Sequence, residues 1–152
     1  QQRRSWYMFF FQTAIAEAAV SFNDFAFLEK MWADWSPGWK WAPEDMEALK
    51  KCFRAKRTLE AALGYYRATL GPALKVPADP KGIAAAMASP INVPGLMIHG
   101  QNDGCIGAEL IPGMEALFPK GLKIELVPGA GHFVHQERPD YVNPIVLKFL
   151  KG

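Results

Sequence analysis

The chain has 152 residues, half of them hydrophobic and 21% charged, with a formal charge of only +2. That length suits one ordinary domain with a sizeable core, and the profile excludes a disordered chain. The short basic pairs Arg3-Arg4 and Lys50-Lys51 read as solvated faces rather than a nucleic-acid footprint, and no apolar stretch reaches the ~18 residues of a membrane span, since "WYMFFFQ" is cut off by Gln12.

The chain opens on "QQRRSWYMFFFQ", without an initiator Met or the layout of a signal peptide, and is expected to begin in the middle of a longer protein. Residues 1–75 are rich in Trp, Tyr and Phe and are predicted helical. "SFND", Ser21 to Asp24, has the spacing of a capping box. Apolar residues follow it at Phe25, Leu28, Met31, Trp32 and Trp35 as a helical stripe. Pro37 and Gly38 of "SPGW" break that helix. "APEDMEALKKCF" restarts one: Pro43 fits the first turn, Glu44, Asp45 and Glu47 complement its positive end, and Lys50 and Lys51 lie near its negative end. "RTLEAALGYYRATLG" continues helically to Gly71. Residues 71–92, with Pro72, Pro77, Pro80 and Pro90, read as a linker carrying at most a short helix around Ile83–Met87.

From residue 91 the pattern changes. "VPGLMIHG", Val93 to Gly100, is a short apolar run that ends in the polar loop "QNDG". "AELIPGMEALF" is a helix pattern interrupted by Pro112-Gly113, "LKIELVPG" a second strand, and "RPDYVNPIVLKFLKG" a closing helix with Pro139 and Pro144 near its start. Strand, loop, helix, strand, loop, helix is the grammar of a right-handed crossover in a parallel sheet. A parallel sheet needs both faces covered, and two strands make a poor one alone, so this region is expected to be the end of a larger sheet. The expected division is a helical cap over 1–75, a linker over 76–92 and a βαβα part over 93–152.

In open parallel sheets, ligands bind at the carboxyl ends of the strands. Asp103 lies three residues past Gly100, and His132 three past Gly129, each at such an end. Strands sharing a direction would bring the two loops to one rim, where a carboxylate beside an imidazole holds the ring's tautomer and stabilises imidazolium. Taken singly, an Asp in "NDG" is usually a turn former, and a His in a Gly-rich turn is usually structural. His99, inside a strand run, and His135, at a helix entry, are weaker candidates. Cys52 and Cys105 have neither a metal-pair nor a disulfide-framework spacing. Free thiols are expected, compatible with a cytoplasmic protein.

These segments resemble the α/β-hydrolases of the epoxide hydrolase and haloalkane dehalogenase group. "NVPGLMIHGQNDGCI" is similar to their strand-plus-acid segment, and "VPGAGHFVHQERPDYVNPIVLKFL" to their histidine segment and last helix. "RRSWYMFFFQ", "WADWSPGW" and "LGYYRA" resemble the helical cap. The resemblance implies an α/β fold: the C-terminal part of an α/β-hydrolase, two parallel strands with flanking helices, preceded by a mostly helical cap. It implies Asp103 as triad acid and His132 as general base. In the cap it implies substrate contacts at Tyr66, with Tyr65 its neighbour, because epoxide hydrolases use two cap tyrosines to stabilise the developing alkoxide. The second tyrosine position holds Phe10 here, with Tyr7 one helical turn earlier. Dehalogenases place a halide-binding Trp where this chain has Tyr7, with Trp6 beside it. These departures leave a hydrolase with an aromatic-lined apolar pocket. No cofactor and no metal are implied.

The family also needs a nucleophile at the tip of a Gly-x-Ser/Asp-x-Gly turn. "GQNDG" alone has the two glycines, but its central residue is Asn102 and it occupies the acid loop. The early oxyanion-hole loop has no counterpart either. The chain is therefore expected to carry acid and base without a nucleophile, and to be inactive alone. Its expected partners are a small apolar substrate, and either a second copy or a separate N-terminal half, with no nucleic acid and no membrane. A non-catalytic product that folds by dimerising, and an apolar-ligand binding module, remain as alternatives.

Overall fold

The computed structural model describes residues 1–70, 81–82, 85 and 89–152. Most of the predicted linker lies outside these described residues; of the short helix expected around Ile83–Met87 only Ala85 is described, and it is helical. The chain forms two compact units, one of Gln1–Asp34 with Lys40–Lys75, the other of Trp35–Trp39 with Val76–Gly152.

Among the described residues the first unit carries α1 (Trp6–Phe10), α2 (Ala16–Trp35, broken at residues 22–25 and ending on the first residue of the second unit's 35–39 segment), α3 (Pro43–Arg54) and α4 (Thr58–Leu70). α3 begins as its residues dictate. Ala42 is extended, Pro43 supplies a preset φ and needs no N–H partner, and Glu44 and Asp45 face the positive end while Lys51 and Arg54 occupy the last turn. α4 buries Leu63 and carries Gly64, where an added Cβ would meet nothing within 4 Å. Helix-interior glycine costs backbone entropy, so Gly64→Ala is expected to stabilise the protein by about 0.5–1 kcal/mol. A urea midpoint that does not rise would count against this.

α2 departs from its expected start. Ser21 does not cap a new helix: its Oγ donates back to the carbonyls of Glu17 (2.8 Å) and Ala18 (3.2 Å). The break lies just after it, with Phe22 extended and Asn23, Asp24 and Phe25 all left-handed, at φ of 49°, 51° and 58°. Asn and Asp tolerate that conformation, whereas Phe does so at a cost of roughly 1–2 kcal/mol. Packing offsets it: Phe25 is buried with its ring 6.0 Å from that of Phe53, and the Asp24 carboxylate is gripped by Arg54 Nη2 at 2.7 and 2.9 Å.

Arg54 also takes Glu47 at 2.6 Å, and Lys50 pairs with Glu29 and Asp24. The Arg54 hydrogen bonds hold both the Asp24 and Glu47 carboxyls below the usual carboxylate range. A carboxyl depressed by folding contributes stability that is present at neutral pH and lost as pH falls through its folded value. The first unit is therefore expected to loosen only below about pH 4, with a loss that shrinks in high salt because the pairs are exposed. Helical circular dichroism followed from pH 6 to pH 2, with and without salt, tests this.

The second unit carries β1 (Gly95–Gly100) and β2 (Leu122–Val127), paired in parallel from Gly95 opposite Leu122 to Gly100 opposite Val127. The predicted helix between them is instead two 3₁₀ turns, Ala108–Leu110 and Met114–Leu117. Pro112 and a left-handed Gly113 (φ +94°) interrupt the run, leaving pieces too short for an α-helix. After β2 come α5 (Val134–Glu137) and α6 (Pro139–Lys151). Val127, Ala130, Val134 and Val142 form the core here, with Ile98, Tyr141 and Val146 packed against it. Burying each such valine contributes roughly 1.5–3 kcal/mol. That anchors both the end of β2 and the two helices that follow the histidine loop. No helix among the described residues is long and apolar enough to cross a membrane.

Candidate active site

β1 and β2 end side by side, and the backbone knits their outgoing loops together. Gln101 N donates to Val127 O (3.1 Å), and Asn102 N to Ala130 O (2.8 Å). The first loop then turns around Asp103, 5% exposed, whose Oδ1 accepts the amides of Cys105 (2.7 Å) and Ile106 (2.8 Å). This is the turn chemistry expected of an Asp in such a loop. It also does more, because it leaves Oδ2 free to face the second loop.

There His132 Nδ1 lies 2.9 Å from Asp103 Oδ2. A carboxylate only accepts, so the ring hydrogen sits on Nδ1 and the lone pair falls on Nε2. The side chain is 26% exposed, its ring set edge-on to Trp35 and Phe133 at centroid distances of 5.1 and 5.2 Å. An imidazole so held, with one nitrogen tied to a buried carboxylate, can accept a proton at the other and be stabilised as imidazolium.

His99 belongs to the same group, although its place within a strand hid it. It is buried, its Nε2 is 3.0 Å from Ile106 O and 3.6 Å from Asp103 Oδ2. Since a carbonyl carries no proton, His99 Nε2 is the donor, and it fixes the carbonyl of Ile106, the residue whose own N–H holds Asp103 Oδ1. His135 is exposed on α5 and joins none of this.

Two further residues escaped the sequence reading. Ser36 is fully buried, and its Oγ donates to Glu137 Oε1 (2.7 Å) while receiving the His132 amide (3.0 Å). Glu137 accepts the amides of Gly131 (2.8 Å) and Phe133 (3.0 Å). Only the position of Glu137 in "GHFVHQERP" hinted at its role. Nothing local singles out Ser36, which reads as a turn residue before Pro37.

The aromatic candidates lie in the first unit. Tyr7 is buried, its ring edge-on to Tyr66 at 5.6 Å, and Phe11 stands edge-on to Tyr66 at 5.0 Å. Phe10 stacks on Phe27 at 5.7 Å, with Trp6 5.9 Å from Phe10. Gln12 Nε2 ties α1 to α4 by donating to Met8 O (2.9 Å) and Tyr66 O (3.0 Å). Arg67 Nε adds a bond to Phe11 O (3.0 Å). Tyr65 is 80% exposed and lines, with Met8, Ala62, Tyr66 and Thr69, a cavity of about 490 Å³. Among the described residues no group of three or more His, Cys, Asp and Glu side chains could hold a metal ion.

No family model matches the chain. Curated relatives do. It is 30% identical to epoxide hydrolase 3 of Xenopus tropicalis over 97% of its own length and 39% of that protein. It is likewise 30% identical to the AB hydrolase superfamily protein YfhM of Bacillus subtilis, over all of its own length and 50% of that protein. Among solved structures, an epoxide hydrolase of the alpha/beta hydrolase superfamily from hot-environment metagenomes superposes with a TM-score of 0.75 at 28% identity, covering 99% of this chain and 51% of that one. The chain thus spans about two fifths to half the length of these proteins. Two parallel strands, their flanking helices and a helical unit preceding them in the chain give it part of the α/β-hydrolase fold, and over nearly its whole length it is similar to part of proteins of the epoxide hydrolase group.

Proposed function

We propose that Asp103 and His132 are the acid and base of a nucleophile–His–Asp site that hydrolyses an epoxide, ester or carbon–halogen bond. The 2.9 Å contact between His132 Nδ1 and the buried Asp103 carboxylate carries this reading. The names of the relatives favour an epoxide. In that case a carboxylate nucleophile attacks an epoxide carbon, the ring C–O bond breaks, and the alkoxide takes a proton from a phenol. Tyr66, with Tyr7 against its ring, is the phenol we assign, because Phe10 has no hydroxyl to offer. Water then attacks the ester while His132 Nε2 takes its proton, releasing the diol and the carboxylate; the imidazolium gives that proton to solvent as the phenolate regains one, which restores both groups. Trp6, Phe10 and Tyr65 supply apolar and aromatic surface for the substrate.

Residues 1–152 contain no Gly-x-Ser/Asp/Cys-x-Gly turn, so the nucleophile comes from elsewhere. The chain alone is expected to show no turnover and to work with a part that supplies nucleophile and oxyanion hole. The alternative, association of two copies, draws on large exposed apolar residues of α6 such as Leu147 (54%) and Leu150 (73%). Hydrolysis of an epoxide, an aryl ester and a haloalkane should be measured for this chain and for the longer protein that includes its upstream reading frame. The expected result is no turnover by the chain and epoxide turnover by the longer protein that His132→Ala abolishes. His132-dependent turnover by the chain alone would overturn the first part, and an unchanged rate in His132→Ala the second. Size-exclusion of the chain as a compact monomer would remove the dimer alternative.

A further inference from the structure

We propose that Ser36 and Glu137 are positioning residues for His132, and that the Trp35–Ser36 peptide locks the acid and base loops to each other. This rests on the base role argued above and extends it to residues that no strand end carries.

A hydroxyl has one hydrogen and two lone pairs. Ser36 gives its hydrogen to Glu137 Oε1 at 2.7 Å, since a carboxylate cannot donate, and turns its lone pairs to the amides of His132 (3.0 Å) and Phe133 (3.4 Å). Glu137 meets the neighbouring amides, Gly131 N at Oε2 (2.8 Å) and Phe133 N at Oε1 (3.0 Å). Three successive N–H groups, 131 to 133, therefore converge on one carboxylate–hydroxyl pair, as backbone amides gather around an anion. Charge-assisted bonds of this kind are short and stiff. They determine the direction in which the Cα–Cβ bond of His132 leaves the loop.

The Trp35 carbonyl completes the arrangement. It accepts His132 N (3.1 Å) from the base loop and Gly104 N (2.9 Å) from the acid loop. One peptide thus spans the backbones on either side of the His132–Asp103 contact. The approach is possible only because residue 131 is glycine: a Cβ there would lie 2.5 Å from Ser36 Cα and 2.8 Å from Ser36 Oγ. Ser36 and Glu137 are 101 positions apart. Residues Trp35–Trp39 belong to the second unit although the chain on both sides of them belongs to the first. The segment is a strap threaded into the catalytic loops, not merely a helix stop.

The test is nuclear magnetic resonance on the 152-residue chain, with two readouts: the His132 Nδ1–H proton, and amide exchange at Gly131, His132 and Phe133. In Ser36→Ala, exchange at His132 and Phe133 is expected to quicken by tenfold or more, and the Nδ1–H signal to broaden beyond detection. In Glu137→Gln one side-chain oxygen can still accept, but the NH₂ group cannot receive Gly131 N. Gly131 should then exchange faster while the Nδ1–H signal survives in part, and Glu137→Ala should lose it. Amides of α4 serve as the internal reference and should not change. A folded Ser36→Ala or Glu137→Ala with an unaltered Nδ1–H signal and unaltered exchange overturns the proposal. Should Ser36→Ala not fold, the near-isosteric Glu137→Gln decides it by the same criterion. These readouts do not depend on turnover. If His132→Ala leaves the longer protein's rate unchanged, the base role fails while the strap stands; unchanged spectra sink the strap and leave the base role.

Discussion

Asp103→Asn is expected to silence the proposed acid–base pair while leaving the loop that carries it folded. The Asn oxygen can still accept the Cys105 and Ile106 amides that now bond Oδ1 at 2.7 and 2.8 Å. The NH₂ group in place of Oδ2 can only donate, so it cannot receive the hydrogen on His132 Nδ1, now 2.9 Å away. The imidazole must shift its hydrogen to Nε2, the nitrogen that accepts a proton from water in the proposed mechanism. In a protein that carries the nucleophile, turnover should fall by on the order of 10³–10⁴-fold, with KM little changed. In this chain the Nδ1–H signal should vanish while the melting temperature stays within a few degrees. Asp103→Ala separates the two roles, because it also leaves the loop amides without an acceptor. It should cost about 2–4 kcal/mol and lower the melting temperature clearly. A full rate in Asp103→Asn would remove Asp103 from the mechanism.

Gly100→Ala is expected to be among the most damaging small substitutions in the chain. A Cβ there would lie 2.0 Å from Gly131 O and 2.5 Å from Ala130 O. Both are backbone atoms of the loop that presents His132, so neither can swing aside as a side chain would. The same approach allows Asn102 N to reach Ala130 O at 2.8 Å, and separation would break that bond too. A loss of at least about 3 kcal/mol should follow, with the acid and base loops forced apart. Gly95→Ala is the natural comparison. Its Cβ would meet Phe118 and Leu122 at 2.6–2.9 Å, but those are side chains that can rotate, so its cost should be smaller. Urea unfolding of the two variants tests the ranking. Gly100→Ala within about 1 kcal/mol of the parent would show that the loops yield more readily than their geometry implies.

Much of the local architecture can be read from the chain. The two apolar runs at 95–100 and 122–127 have strand length and end in turn residues, and α3 announces itself through Pro43, its acidic first turn and its basic last turn. Where the reading misses, a competing local preference is identifiable. "SFND" fits a capping box, yet Ser21 bonds backward and the following residues turn left-handed, because burying Phe25 and binding Asp24 to Arg54 outweigh the cap. "AELIPGMEALF" has helical spacing, but Pro112 and Gly113 divide it into single 3₁₀ turns.

The strand ends, the residues just beyond them and the aromatic composition of the cap segments are matters of periodicity and turn chemistry, which act within a few residues. The sequence by itself therefore determined where a carboxylate and an imidazole would emerge, and the superfamily whose segments they resemble. The tertiary structure alone decided that His99 stands behind Asp103, and that Ser36 and Glu137 cradle the His132 loop. It also decided that one carbonyl, Trp35 O, joins the two loops. Those bonds link groups as much as 101 positions apart, and no local preference of Ser, His or Glu encodes them. They exist because two parallel strands end at the same level and a buried polar group must find a partner wherever the fold has brought one.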